Sequence, residues 1–173
     1  MNIFATSSSA FLSAIWLDDL RLNKMILETA QLLCTAHHEL GSAMGGMYRS
    51  THKNHPCAVW ARECRGNYLW LFEHFQALCN EYEFRRGKMH ASRGLEILLV
   101  EPPEAIPPGE RTPFANCTPL KDYTVYAVNA AYRTYMRAKW LNDKRAPTFT
   151  KTDWPAWAAD IPNMRAAQEN NND

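Results

Sequence analysis

The sequence predicts an all-α fold: three long helices packed as a single compact domain, joined by long Pro- and Gly-rich connecting loops. Three observations carry that expectation. Two long stretches, Ala10 to Glu39 and Cys57 to Arg86, contain no proline, and Gly66 is the single glycine in them. Their apolar residues recur at helical spacing, and no segment shows the period-two alternation of a strand. The chain is 46% hydrophobic and 12% aromatic against 21% charged, which is enough for a core and excludes wholesale disorder. Its 173 residues suit one domain, placed at residues 1–165, with the polar stretch 166–173 expected to be a disordered tail.

The elements follow in order. Ser7-Ser8-Ser9 offers capping oxygens to a first helix from about Ala10 to Glu39. His37 and His38 suit the negative end of its dipole, and Gly41 its stop. Gly41 to His55, which holds Gly45, Gly46, Arg49 and Lys53, reads as a loop. Pro56 fits the first turn of a second helix from Cys57 to Arg86, which Gly87 ends. A short helical piece is expected around Ser92 to Leu99. Prolines at 102, 103, 107, 108, 113 and 119 make Glu101 to Pro119 an extended surface loop. Asp122 is placed to cap a third helix from about Tyr123 to Asn142, and Pro147 prevents its continuation. The tail holds Phe149, Trp154 and Trp157.

Lys and Arg total 19 against 18 Asp and Glu, a net charge of +1, so this is no globally basic coat protein for nucleic acid. Any polyanion site must come from local clustering. The apolar start carries no Lys or Arg and runs into Asp18 and Asp19, unlike a signal peptide. No apolar run approaches the ~20 residues of a membrane span, so the expectation is a cytoplasmic protein with no membrane partner. Cys34, Cys57, Cys64, Cys79 and Cys117 are odd in number and lack a CxxC pair, which suits reduced thiols. His52, His55 and Cys57 lie close together, downstream of Cys34, His37 and His38, but the spacing fits no zinc motif and no metal site is assigned.

On the first helix, Arg21, Lys24, Glu28, Gln31 and Thr35 fall within about 80° of one another, and apolar residues fill most of the remaining circumference. One reading is a plain solvated stripe in which Lys24 and Glu28 form an i,i+4 pair. The other is that Glu28 is a lone carboxylate between cations on a helix packed on almost every side, where a general acid/base is held rigidly. Arg21 and Lys24 would then keep it ionised and attract phosphate. Two positive patches stand elsewhere. Arg85, Arg86, Lys88 and Arg93 lie without an acid between them. From Lys121 to Lys151 the cations, among them Arg133, Arg137 and Lys139, outnumber Asp122 and Asp143. Tyr132, Tyr135, Trp140 and Phe149 interleave this second patch, as on a nucleic-acid surface or as the buried side of an amphipathic helix.

Four segments, Met1 to Phe4, Leu17 to Thr29 (LDDLRLNKMILET), Asn54 to Trp60 (NHPCAVW) and Cys79 to Gly87 (CNEYEFRRG), taken in order, resemble the pyrimidine-dimer DNA glycosylase family of the phage endonuclease V type. The resemblance covers the first two helices well, the third helix and aromatic tail weakly, and the Pro-rich loop not at all. It implies a small all-α DNA glycosylase with abasic-site lyase activity on a damaged or modified pyrimidine, which flips a nucleotide out of double-stranded DNA. The N-terminal amine would attack the sugar C1′ and form an imine, and the glutamate on the first helix, here Glu28, would be the acid/base. An α-amine titrates near ~8, so a useful fraction of such amines is neutral at pH 7. Residue 2 is Asn, beside which Met1 is usually retained, so the nucleophile would be the amine of Met1 itself, with Asn2 next to it also counted among the catalytic residues.

By the same resemblance Arg21 sits near the flipped nucleotide, and Lys24, Arg85, Arg86, Arg133, Arg137, Lys139 and Trp154 contact DNA. It implies no metal or organic cofactor and a bacterial or phage-infected cytoplasm. A homo-oligomer is not indicated. Two other functions fit the residues: a non-catalytic DNA-binding, base-modifying or partner-inhibiting protein on the same fold, and an interaction domain anchored by Trp154 and Trp157.

Overall fold

The computed structural model describes residues 1–170, apart from the side chains of Tyr126 and Glu169. The described residues are all-helical, as expected, but seven α-helices, mostly short, stand where three long ones were predicted. The first predicted helix divides into α1 (Ala10–Ile15) and α2 (Asp19–Glu39). Asp18 makes the break. Its backbone is extended, and its carboxylate accepts from the N–H groups of Leu20 and Arg21, capping α2. Across the break the guanidinium of Arg85 donates to the carbonyls of Ile15 and Leu17, both at 2.8 Å. A residue far along the chain therefore satisfies the orphan acceptors that a second helix end creates.

The second predicted helix also divides, into α3 (Pro56–Ala61) and α4 (Arg65–Arg86). His55 caps α3, its Nδ1 accepting from the Cys57 N–H at 3.2 Å. The Pro-rich segment crosses the break that follows, where the Arg65 N–H donates to the Pro107 carbonyl and the Gly66 N–H to the Gly109 carbonyl. A Cβ on Gly66 would lie 2.3 Å from the Arg111 nitrogen, so the crossing admits only glycine. Gly87 closes α4 in the left-handed region, at φ 65°. A 3₁₀ turn (Ala91–Leu95) then leads into α5 (Glu96–Leu99), where the short helical piece was expected.

The third predicted helix starts later than Asp122, which does not cap it. A 3₁₀ turn (Val125–Ala127) runs into α6 (Val128–Asn142), whose N-terminus has no side-chain cap. A further helix, α7 (Ile161–Asn170), follows the aromatic segment. The disordered tail expected from residue 166 is thus helical as far as Asn170, and residues 171–173 lie outside the described residues. No described helix is long and apolar enough to cross a membrane.

α1, α2 and α4 enclose the core, with Ile3, Leu17, Leu22, Ile26, Leu33, Tyr68 and Phe75 buried. His74 of α4 lies among them, donating its Nδ1–H to the Ala10 carbonyl at 2.9 Å. Burial pushes its pKa down to about 4, so the ring stays neutral in the fold. An unfolded histidine takes a proton below about 6.5, so His74 contributes stability that is full above that pH and is lost as pH falls toward 4, roughly 3 kcal/mol in all. The expected result is a urea midpoint that drops more steeply between pH 7 and pH 5 in the wild type than in His74→Asn, which keeps a donor for Ala10. Parallel profiles would contradict this role.

Candidate active site

The first six residues form a hook rather than a fraying end. The Asn2 side-chain oxygen accepts from the N–H groups of Ile3 and Phe4, at 2.7 and 3.0 Å. Phe4 takes a positive φ of 40°, unusual for a bulky residue, and such strain persists only where the surroundings fix it. Those surroundings are α6: Asn129 donates to the Ala5 carbonyl at 2.6 Å and Arg133 to the Thr6 carbonyl at 2.9 Å. The Phe4 ring packs between Tyr132 and Tyr135 of the same helix. The chain start is therefore held by a helix more than 120 residues away, and it is aimed at Glu28.

Glu28 sits on α2 with its side chain 13% exposed. Its Oε2 lies 3.6 Å from the Met1 nitrogen and accepts from the Asn2 N–H at 2.9 Å. Its Oε1 faces the Lys24 ammonium at 3.5 Å. One oxygen thus serves the N-terminus and the other a cation. Around them is a hollow of about 350 Å³ whose walls include Met1, Asn2, Phe4, Arg21, Lys24, Glu28, Cys117, Tyr135 and Lys139. That size is in the range of small-ligand sites. A larger hollow, about 720 Å³, lies beside α5 and is lined by Phe72, Met89, His90, Arg93, Ile97 and Val100. It brings no amine against a carboxylate, and Arg93 there is already paired with Glu83 and Glu96.

The polar seam of α2 is not a solvated stripe. Arg21 and Thr35 are buried, Glu28 is nearly so, and Lys24 alone of the charged residues stands well exposed. Arg21 donates to Asp18 and to Asp143, each at 2.8 Å, which ties the start of α2 to the residue after α6. It nevertheless reaches the pocket wall, together with Lys24 and Lys139.

The other sequence-predicted DNA contacts scatter. Arg85 is 2% exposed and is held by Asp19 and Glu81 as well as the two carbonyls, so it faces the interior, not a surface. Arg86 stands exposed but lies 3.5 Å from Asp19. Arg133 clamps the hook. Arg137 is engaged by Asp160 through both nitrogens and by the Trp157 carbonyl. Trp154 is half-buried against Trp140 and Phe149, with ring centroids 5.5 and 4.6 Å apart, so it builds the aromatic cluster that seats α6. Trp140 at the centre of that cluster donates to Asp18 at 2.7 Å. Lys139 lies 5.2 Å from the Tyr135 ring at the pocket.

One wall of the pocket carries chemistry that the spacing of histidines and cysteines did not suggest. His55 and Cys57 meet Cys117, not His52, with their donor atoms within 4.8 Å of one another. The two sulfurs are 3.1 Å apart, Cys57 donating. Tetrahedral Zn–S bonds of ~2.3 Å would hold two thiolates about 3.8 Å apart, wider than the contact here. The two sulfurs are spaced as a hydrogen-bonded thiol pair. Burial, and then the positive N-terminus, push the pKa of His55 below its usual range, so this ring is neutral beside the amine.

The site thus holds an amine against a carboxylate in a pocket reached by three cations, an arrangement that suits an anionic substrate. Residues 1–94, more than half of the chain, match the family described as pyrimidine dimer DNA glycosylase, and the chain belongs to that family. DNA is accordingly its substrate class. No protein of curated function and no solved structure matches the chain. The matched region holds Met1, Asn2, Arg21, Lys24 and Glu28, whereas α6 and Cys117 lie beyond it. Sequence reasoning missed Asn129 and Cys117 and read Tyr132 and Tyr135 only as rings of a nucleic-acid surface or a buried helix face, because each reaches the site through long-range packing that no local pattern announces.

Proposed function

We propose that the protein is a DNA glycosylase with abasic-site lyase activity, acting on a damaged or modified pyrimidine through its N-terminal amine and Glu28. The observation that supports this best is the 3.6 Å approach of the Met1 nitrogen to the Glu28 carboxylate inside a cation-lined pocket. Cleavage of Met1 would make the Asn2 nitrogen, already at 2.9 Å, the amine instead. Either way the carboxylate is within a small movement of the atom whose protons must be managed, and catalytic contacts commonly tighten when substrate binds.

The residues divide the work. The neutral amine attacks C1′ of the flipped nucleotide, the C1′–base bond breaks, and the base leaves with a proton. Glu28 assists sugar-ring opening as the amine becomes an imine, then takes the C2′ proton so that the C3′–O bond breaks by β-elimination. Lys24 and Lys139 supply positive charge for the flanking phosphates and Tyr135 offers its ring to the extruded base, while Arg21 and Phe4 form the pocket wall behind them. Arg133 and Asn129 act through the hook, holding the amine in place.

The test is an N-terminal extension. A Gly-Ser extension left before Met1 moves the amine away from Glu28, and the expected outcome is loss of cleavage at an abasic site with DNA binding retained. Full cleavage by the extended protein would remove the N-terminal amine from the mechanism.

A further inference from the structure

The Cys57–Cys117 pair is not used by the proposed chemistry, yet one of its members, Cys117, forms part of the wall around it. Cys57 is fully buried in the first turn of α3, whereas Cys117 is half-exposed and lines the pocket beside Met1 and Glu28. Their sulfurs sit 3.1 Å apart although 60 residues separate them. The backbone of Cys117 is wired to the catalytic hook: its carbonyl accepts from the Asn2 side-chain amide at 3.4 Å. Tyr132 supports the same turn, accepting from the Cys117 N–H and donating to the Ala115 carbonyl.

We propose that Cys57 and Cys117 are a site of reversible oxidation, closing to a disulfide that draws the 115–118 turn toward α3 and off Asn2. Hydrogen peroxide is the oxidant. The Cys117 thiolate attacks a peroxide oxygen, the O–O bond breaks, and a sulfenic acid and hydroxide form. The Cys57 sulfur then attacks the oxidised Cys117 sulfur, the S–OH bond breaks, and water leaves. Two thiols are oxidised and one peroxide is reduced to two waters. The asymmetry of the pair supports the order. The hydrogen bond from Cys57 holds the Cys117 thiol below its usual range despite partial burial, and Tyr132 and Lys121 add to this, whereas Cys57 is pushed up. Cys117, half-buried at the pocket, is the sulfur that peroxide can reach, and the fully buried Cys57 resolves it. Shortening the contact to the ~2.05 Å of a disulfide moves the turn by about 1 Å. Such a shift is enough to lengthen the 3.4 Å Asn2 contact beyond hydrogen-bond reach.

The consequence for the amine rests on the proposed function, but the disulfide and its coupling to the N-terminus are tested without DNA. Untagged protein is treated with hydrogen peroxide, unfolded in an alkylating reagent and mapped by mass spectrometry. The expected product is a Cys57–Cys117 linked peptide, lighter by two hydrogens and reopened by dithiothreitol, with Cys34, Cys64 and Cys79 alkylated. In Cys57→Ser, Cys117 should accumulate as a sulfenic acid captured by dimedone. Free Cys57 and Cys117 after oxidation, or Cys117 driven to sulfonic acid with Cys57 untouched, would overturn the site. The coupling is read as the acylation rate of the N-terminal amine. It should change several-fold on oxidation of the wild type and not in Cys57→Ser, and equal rates in the oxidised and reduced wild type would overturn it. Failure of the glycosylase reading would show separately, as absence of imine trapping by the reduced protein.

Discussion

Glu28→Gln is expected to lower the rate of strand cleavage at an abasic site by about 10²- to 10⁴-fold, the range for removing a general acid/base. The amide keeps the shape of the carboxylate and an oxygen that can still accept from the Asn2 N–H, so the hook should remain in place. Two ion pairs are lost, one with Lys24, exposed on the lysine side and worth ~1 kcal/mol or less, and one with the Met1 amine at 3.6 Å, which the amide oxygen still faces. Stability and DNA affinity should therefore stay close to wild type while turnover disappears. Single-turnover cleavage, binding and urea unfolding measured on one preparation separate these effects. Wild-type turnover would take Glu28 out of the mechanism, and an equal loss of folding would make it a structural residue.

The second large effect is on stability. Arg85→Ala should destabilise the fold by about 3–5 kcal/mol, because it removes the buried cationic partner of Asp19 and leaves the Ile15 and Leu17 carbonyls unpaired. Burial opposes ionisation of Asp19, but the hydrogen bonds from Thr150, Arg85 and Thr148 outweigh it and hold its carboxyl below the ordinary range. Removing Arg85 withdraws one of those bonds and the buried one of the two guanidinium charges, leaving Asp19 the exposed Arg86 at 3.5 Å. Arg86→Ala, at an exposed neighbour, should cost less than about 1 kcal/mol. Urea unfolding of the two variants checks the contrast. A mild effect of Arg85→Ala on stability combined with a selective loss of DNA affinity would return Arg85 to the surface role its position in a basic cluster suggested.

Arg85 illustrates how far a sequence can be read here. The absence of proline, the helical spacing and the stop at Gly87 located helical matter correctly. They did not show that Asp18 and Arg85 would interrupt the first helix, because that break depends on a guanidinium brought from the end of α4. Likewise the second break answers to a Pro-rich crossing over Gly66 that local propensity does not encode. Within the site, Met1, Asn2 and Glu28 were legible through a family resemblance, and the match to residues 1–94 supports that family. The geometry that aims them was not legible. Arg133, counted among phosphate contacts, instead clamps the Thr6 carbonyl. The charge runs are not rows of free surface cations, because Arg137 and Arg85 are each bound by acids distant in sequence, at Asp160 and Asp19.

Borohydride trapping addresses the mechanism most directly. Untagged, reduced protein is incubated with duplexes carrying either a pyrimidine dimer or an abasic site, treated with borohydride, and mapped by mass spectrometry. The expected result is a covalent protein–DNA adduct on both substrates, located on the nitrogen of the N-terminal residue and absent from the N-terminally extended protein. Intact DNA binding with no adduct on either duplex, or an adduct on a lysine side chain instead, would contradict an N-terminal amine working with Glu28.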